Sequence, residues 1–304
     1  MRIDRQLESN EPSFSVELFP PKDEQGRETM LETVRVLGAL EPDFFSVTYG
    51  AVGATREGTL ETLASVKQEF GFEAMAHLSC VGETTDGLRG ILDRLGEIGV
   101  ENVLALRGDP PRGEGEFAPV EGGLSGSAEL AQLISREYPQ IAIGASCFPE
   151  VHPEAADLDQ DLEYLKVKVE SGAGFLITQL FFENDLYFDF VEAAREVGIE
   201  VPIIPGLMPI SSYSAIERMA GLCKATIPEP LRESMLALGG DTEAEAELGV
   251  AYASQQATDL MRRGAPGIHF YSLNRSYATR SILASLRASR PWEQVEGDLA
   301  ADLG

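Results

Sequence analysis

The sequence predicts an α/β fold, a single (β/α)8 TIM barrel over its 304 residues. Three observations carry this expectation. Eight short apolar runs alternate with segments of helical periodicity. Most of these runs recur every 25–40 residues or so, the length of a βαβ unit, and eight such units close into a ring. Polar side chains collect at the C-terminal ends of the runs, the end at which α/β sheets bind ligands.

Taken in order, a polar leader precedes Phe14 to Phe19, a strand stopped by Pro20 and Pro21, and helical spacing follows from Glu28 to Leu40. Phe44 to Tyr49 is a second strand closed by Gly50, with a helix from Thr59 to Phe70. Glu73 to Cys80 is the third strand, and Thr84 or Thr85 caps the helix that runs to Ile98. Asn102 to Leu106 is the fourth. It ends in Arg107, Gly108 and Asp109, where Pro110 and Pro111 forbid continuation. The Gly- and Glu-rich stretch Arg112 to Gly126 reads as a mobile loop, and a helix spans Ser127 to Glu137. Strands five to seven are Ile141 to Cys147, Phe175 to Phe181 and Val201 to Leu207, separated by helices at Asp157 to Ser171 and Asp185 to Val197. Extra helical segments at Pro228 to Leu236 and Asp241 to Arg263 lie between strands seven and eight. The eighth strand is Gly267 to Leu273, its helix runs from Arg275 to Leu286, and the acidic tail beyond Trp292 is expected to fray.

Composition narrows the function classes. A formal charge of −26 makes nucleic acid and anionic membrane surfaces poor partners. Two readings of that charge stay open: a solvated surface adapted to high salt, or an ordinary acidic enzyme. No apolar run reaches the length of a membrane span, and the N-terminus has no apolar signal region, so a cytoplasmic protein is expected. Cys80, Cys147 and Cys223 are far apart without CxxC spacing, which argues against a disulfide framework or structural zinc. His77, His152 and His269 fall on different elements, so no metal set is expected. GxGxxG, Walker and GxSxG motifs are absent.

The strand ends, read as one rim, present Glu17, Thr48, His77, Arg107 with Asp109, Cys147 with Phe148, Gln179, and Asn274 with Arg275. Each alone has a structural explanation. Thr48 is a good strand former, a lone His77 packs, Gln179 caps a neighbouring backbone group, and Arg107 pairs with Asp109. Together they mark one shared site. Glu17 stands among Phe14, Val16, Leu18 and Phe19, where loss of water raises a carboxyl pKa and makes it a general-acid candidate.

The segments SVELFPPK, SVTYG, AHLSC, LALRGDPP, PEVHPEA, DLEYLKVKVESGA, FLITQLFF, PIIPGLMPI and HFYSLNR, in this order, resemble methylenetetrahydrofolate reductase over about Phe14 to Leu286. The resemblance is to the bacterial form, the catalytic barrel without a C-terminal regulatory domain. It implies noncovalent FAD, NADH or NADPH as donor, and reduction of 5,10-methylenetetrahydrofolate to 5-methyltetrahydrofolate in methionine biosynthesis. It also implies a homo-oligomer, with folate and nicotinamide as small-molecule partners. Carried over by position, Glu17 matches the acid that protonates the folate, and Asp109 the aspartate between flavin and pterin. Gln179 matches the glutamine that hydrogen-bonds the pterin or nicotinamide. Thr48, His77, Arg107, Gly108, Phe148, His152, Asp161 and Lys168 match flavin-side positions, and Arg275 a substrate-side arginine. Three positions depart from the family. Phe148 replaces a tyrosine, Gly126 stands near an aromatic or histidine contact, and Met219 occupies the place of a stacking phenylalanine. The alternatives are another flavin barrel of proline dehydrogenase type and a folate-binding protein without chemistry.

Overall fold

Among the described residues nine short strands, all parallel, form one nearly closed ring. β1 (Ser13–Leu18), β2 (Phe44–Val47), β3 (Ala74–Ser79), β4 (Asn102–Leu106), β5 (Ala142–Cys147) and β6 (Phe175–Thr178) pair each with the next. The computed structural model describes residues 1–9, 11–49, 56–108 and 117–293. Gly50, Asp109, the first part of the Arg112 to Gly126 loop, and the acidic tail from residue 294 lie outside the described residues.

The seventh apolar run, expected as one strand, is two. Ile203–Ile204 (β7) pairs with β6, and Gly206–Leu207 (β8) pairs with Gly267–Tyr271 (β9), which pairs in turn with β1. Pro205 between them has no N–H to offer a ladder. Its carbonyl still accepts from His269 N at 2.9 Å, so the chain changes neighbour there and brings the two ends of the sheet together.

Alternation sorts the side chains into two layers. Val16, Leu18, Phe45, Val47, Leu78, Val103 and Ala105 face outward and meet the helices. The helix α4 (Thr85–Ile98) shows why these segments are helical. Leu88, Ile91, Leu92 and Leu95 make a single buried stripe, and each contributes about 2 kcal/mol by leaving water. Thr84 supplies the cap, accepting from Gly87 N, and Gly99 in the left-handed region ends the helix. The opposite parity points into the barrel, where Phe44, Met75, Leu104, Ala142, Phe175, Ile177 and Ile204 fill the N-terminal half. The leader closes that end. A short helix, α1 (Ile3–Gln6), buries Ile3 completely in this cluster and donates its N–H to Asn102 Oδ1 at 2.8 Å.

The remaining helices are α2 (Glu24–Gly38), α3 (Arg56–Ala64), α5 (Ser127–Glu137), α6 (Leu158–Glu170), α7 (Asn184–Glu196), α8 (Tyr213–Cys223), α9 (Glu229–Ala237), α10 (Thr242–Arg262) and α11 (Ser276–Ser289). Several boundaries differ from expectation. α2 starts a turn earlier because Asp23 accepts from Gly26 N and caps it. The predicted helix to Phe70 ends in a wider π turn over Ser65–Glu69, with Phe70 N bonded to Ser65 O. β6 stops at Thr178 rather than Phe181, since the Gln179 side chain accepts from Leu180 N and turns the chain. The polar leader is helical where it plugs the barrel. The extra helices α8 and α9 build a third apolar cluster on the C-terminal side, where Ile216, Ala220, Leu231 and Met235 pack on Leu180, Phe182, Met208 and Ile210.

Candidate active site at the C-terminal mouth

The inward parity that fills the lower barrel with Phe and Ile turns polar toward the C-terminal end. Glu17, Thr48, His77 and Tyr271 are all inward positions at or just past the ends of β1, β2, β3 and β9, and Gln179 continues the inward row of β6. Adjacent strands in the ring carry the first four, so the sheet itself converges them.

Glu17 is 6% exposed, and burial pushes its carboxyl up to about 8, so it holds its proton at neutral pH. His77 Nε2 lies 3.7 Å from Glu17 Oε2. Burial lowers the imidazole to about 4, so the neighbours are a neutral acid and a neutral base rather than an ion pair. His77 Nε2 and Thr48 Oγ1 are both buried without a hydrogen-bond partner in the protein. Two orphaned polar atoms on neighbouring strands at one mouth are what a bound polar ring would satisfy.

Below them the column is self-contained. His269 Nδ1 is 2.7 Å from Ser15 Oγ, Nε2 is 3.4 Å from Ser46 Oγ, and burial lowers the ring to about 3. Tyr271 meets that ring edge-on at 5.3 Å, and its hydroxyl donates to Thr178 O at 2.6 Å. Burial first, and the Glu17 charge second, hold the phenol above its usual range. Gly206 makes this possible: an added Cβ would sit 2.4 Å from Thr178 O and 2.8 Å from Tyr271 Oη. Sequence reasoning passed over Tyr271 because an aromatic in a strand is ordinary. The usable signal was its two-residue spacing from His269 on the inward row.

The second wall belongs to β4, β5 and α6. Arg107 reaches across to the next loop: its Nη2 donates to Glu154 Oε1 at 2.8 Å, Nη1 bonds the other oxygen, and the guanidinium lies 5.2 Å over the Phe117 ring. Gly108 has φ +86, and an added Cβ would lie 2.0 Å from Ser79 Oγ. A side chain is excluded there on both counts. Phe148 meets His152 edge-on at 4.6 Å, so the ring is used although the hydroxyl is missing. Asp161, buried on α6, accepts from His152 N at 2.8 Å and fixes the loop between them. Burial raises its pKa, opposed by the bond from His152 N–H and by Lys168. Lys168 Nζ donates to Ser146 O at 3.0 Å, and burial lowers its pKa. His152 Nδ1 accepts from Glu154 N at 3.1 Å, which leaves Nε2 as the N–H of the neutral ring.

The other predicted residues lie on the β6–β9 side, apart from Gly126 before α5. Gln179 N donates to Cys147 O at 2.7 Å, which ties the end of β6 to the second wall. Met219 packs at the edge of the third cluster on α8, and Arg275, at the N-terminus of α11, reaches Ser211 Oγ at 3.3 Å. Gly126 is the extended N-cap of α5. Asn274 brackets the end of β1 through Phe19 N and Phe19 O, at 2.9 and 2.8 Å.

The sequence matches the family model described as methylenetetrahydrofolate reductase over residues 2–287. It is 36% identical over 295 residues to methylenetetrahydrofolate reductase (NADH) 1 of Arabidopsis thaliana, covering 94% of this chain and 50% of that protein. The chain thus spans about half the length of the plant relatives it matches. It is 34% identical over 274 residues to the 5,10-methylenetetrahydrofolate reductase of Salmonella typhimurium, covering 90% of each. In fold it is similar to an uncharacterised protein from Clostridium thermocellum that binds two copies of 5-methyl-5,6,7,8-tetrahydrofolic acid. The TM-score is 0.62 at 18% identity, covering 96% of this chain and 99% of that one. With the barrel, the mouth and a family match over nearly its whole length, the chain belongs to the methylenetetrahydrofolate reductase family.

Proposed function

We propose that this chain reduces 5,10-methylenetetrahydrofolate to 5-methyltetrahydrofolate with NADH or NADPH, through noncovalently bound FAD. The observation that carries the reading is Glu17: a carboxyl that keeps its proton to about pH 8, at the mouth of a barrel of this family. The residues present fit FAD. Thr48 Oγ1 and His77 Nε2 are unpartnered and buried, and Arg107 and Lys168 supply positive charge on the wall beside them. When bound, FAD supplies the hydride relay between nicotinamide and folate.

The protein's own part is orientation and one proton. Glu17 donates that proton to a substrate nitrogen, and its apolar surroundings keep it protonated until the substrate arrives. His77, neutral beside it, does not compete for the charge. Thr48 and His77 hold the flavin ring, while Arg107, His152, Asp161 and Lys168 hold or position its phosphates. Gln179, Met219 and Arg275 receive the substrates in turn. Asp109 is assigned to the junction of flavin and pterin. The reading carries a cytoplasmic homo-oligomer with it. The described cysteines are free, and no described helix is long and apolar enough to cross a membrane.

The test separates the half-reactions. Glu17→Gln should abolish methylenetetrahydrofolate reduction and leave anaerobic bleaching of the flavin by the nicotinamide nearly intact. Equal loss of both would remove Glu17 from its role. Flavin reduction by proline, with folate ignored, would select the proline dehydrogenase reading instead.

A further inference from the structure

The wall beside the mouth is crowded with charge that cancels. Arg107 and Lys168 are its cations, Glu154 and Asp161 its described anions, and His152 stands between them as a neutral ring. Each of these groups lies within electrostatic reach of His152. A dinucleotide brings a diphosphate of two negative charges, and a wall whose described charges cancel offers it little. One anion has to give way.

The two carboxylates are not equivalent. Asp161 is 6% exposed on a helix and holds the His152 backbone N–H, so moving it would break the loop. Glu154 has 58% of its side chain exposed, and its carboxylate is held by Arg107. It sits in a segment of turns between Val151 and Leu158, outside any helix or strand. The guanidinium offers its two terminal nitrogens to the two Glu154 oxygens, the fork that also recognises phosphate. We infer that Glu154 is an internal stand-in for the cofactor's diphosphate: it occupies Arg107 in the flavin-free protein and turns out to solvent as the dinucleotide enters. Arg107 is thereby kept in place over Phe117 and ready, at a cost in flavin affinity.

The proposal rests on the flavin reading above and is tested apart from it. Wild-type protein and Glu154→Gln, both stripped of flavin, are titrated with FAD and with riboflavin, following flavin fluorescence. The glutamine keeps the size and the hydrogen-bonding oxygen but not the charge. An exposed ion pair of this kind corresponds to about a two- to fivefold change in a binding constant. FAD should therefore bind about two- to fivefold more tightly to the variant at low salt. The gap should close toward about 0.5 M salt, where exposed charges are screened. Riboflavin, which has no phosphate, should bind both proteins alike. Unchanged or weaker FAD binding by the variant would overturn the proposal and make Glu154 a positioning residue for Arg107. Equal tightening of riboflavin would overturn it too, since the effect would not run through the diphosphate. A wild-type protein that binds no flavin at all removes the cofactor reading and the proposal with it.

Discussion

The buried carboxyl of Glu17 has a thermodynamic signature that needs no substrate. In the folded chain it keeps its proton up to about pH 8, against an ordinary value of 4.5. Between those values the unfolded chain has released the proton and the folded chain has not. Folding therefore takes up a proton, and stability falls as pH rises through the window. The slope from this one group is about 1.4 kcal/mol per pH unit. At pH 7 the cumulative loss relative to pH 4.5 is about 3 kcal/mol, and it levels off above pH 8. Glu17→Gln removes the titration while keeping the shape. Urea unfolding of both proteins from pH 5 to 9 should thus give a difference that grows steadily in favour of the glutamine variant, then flattens. All other groups titrate in both proteins and cancel. Parallel stability curves would mean that the carboxyl ionises in the folded barrel as it does in water. The general-acid argument would then lose its physical basis. The sign is informative as well: the wild type accepts a weaker barrel at neutral pH in exchange for a protonated acid at the mouth.

Two further outcomes follow from geometry and charge. Gly206→Ala places a methyl group 2.4 Å from Thr178 O and 2.8 Å from Tyr271 Oη, so it should cost about 1–3 kcal/mol in unfolding experiments. Adding Tyr271→Ala, which removes both the Cε2 at 2.6 Å and the Oη at 2.8 Å, should recover part of that loss, and a fully additive double variant would refute the contact. With a net charge of −26, the protein would repel the anionic dinucleotide and folate of the proposed reaction over a distance that shrinks from about 30 Å at 0.01 M salt to about 8 Å at 0.15 M. KM for the nicotinamide should fall several-fold over that range. A KM that rises instead would show that local cations, not the net field, govern approach.

The barrel was legible because its period was. Runs such as Val103 to Leu106 could be placed as parallel strands, and the polar residues at their ends could be read as one rim. Glu17, Thr48 and His77 then met because inward positions of adjacent strands have to meet. What the sequence concealed were relations without a local trace. Arg107 has a partner in Glu154, 47 residues away, which no local spacing announces. Ile3 looked like part of a polar leader, since a single apolar side chain gives no period. The Val201 to Leu207 run contains Pro202 at its start and Pro205 in its middle, and a central strand should not tolerate the second. The structure meets the rule by ending one pairing and starting another on either side of it. The turn at Ser65–Glu69 keeps a helical composition while its bonding widens, and no composition rule detects that.

The divided seventh strand has a consequence for motion. A ring of staves is as tight as its loosest joint, and here two joints rest on pairings of only two residues each. The chain leaves that joint through Met208 and Ile210 to become α8, the helix that carries Met219. A helix hung from there is held less by backbone pairing than by the packing of Ile216 and Ala220 on Leu180, Phe182, Met208 and Ile210. The fold has placed its slack beside the edge of the mouth that nicotinamide and folate would use in turn.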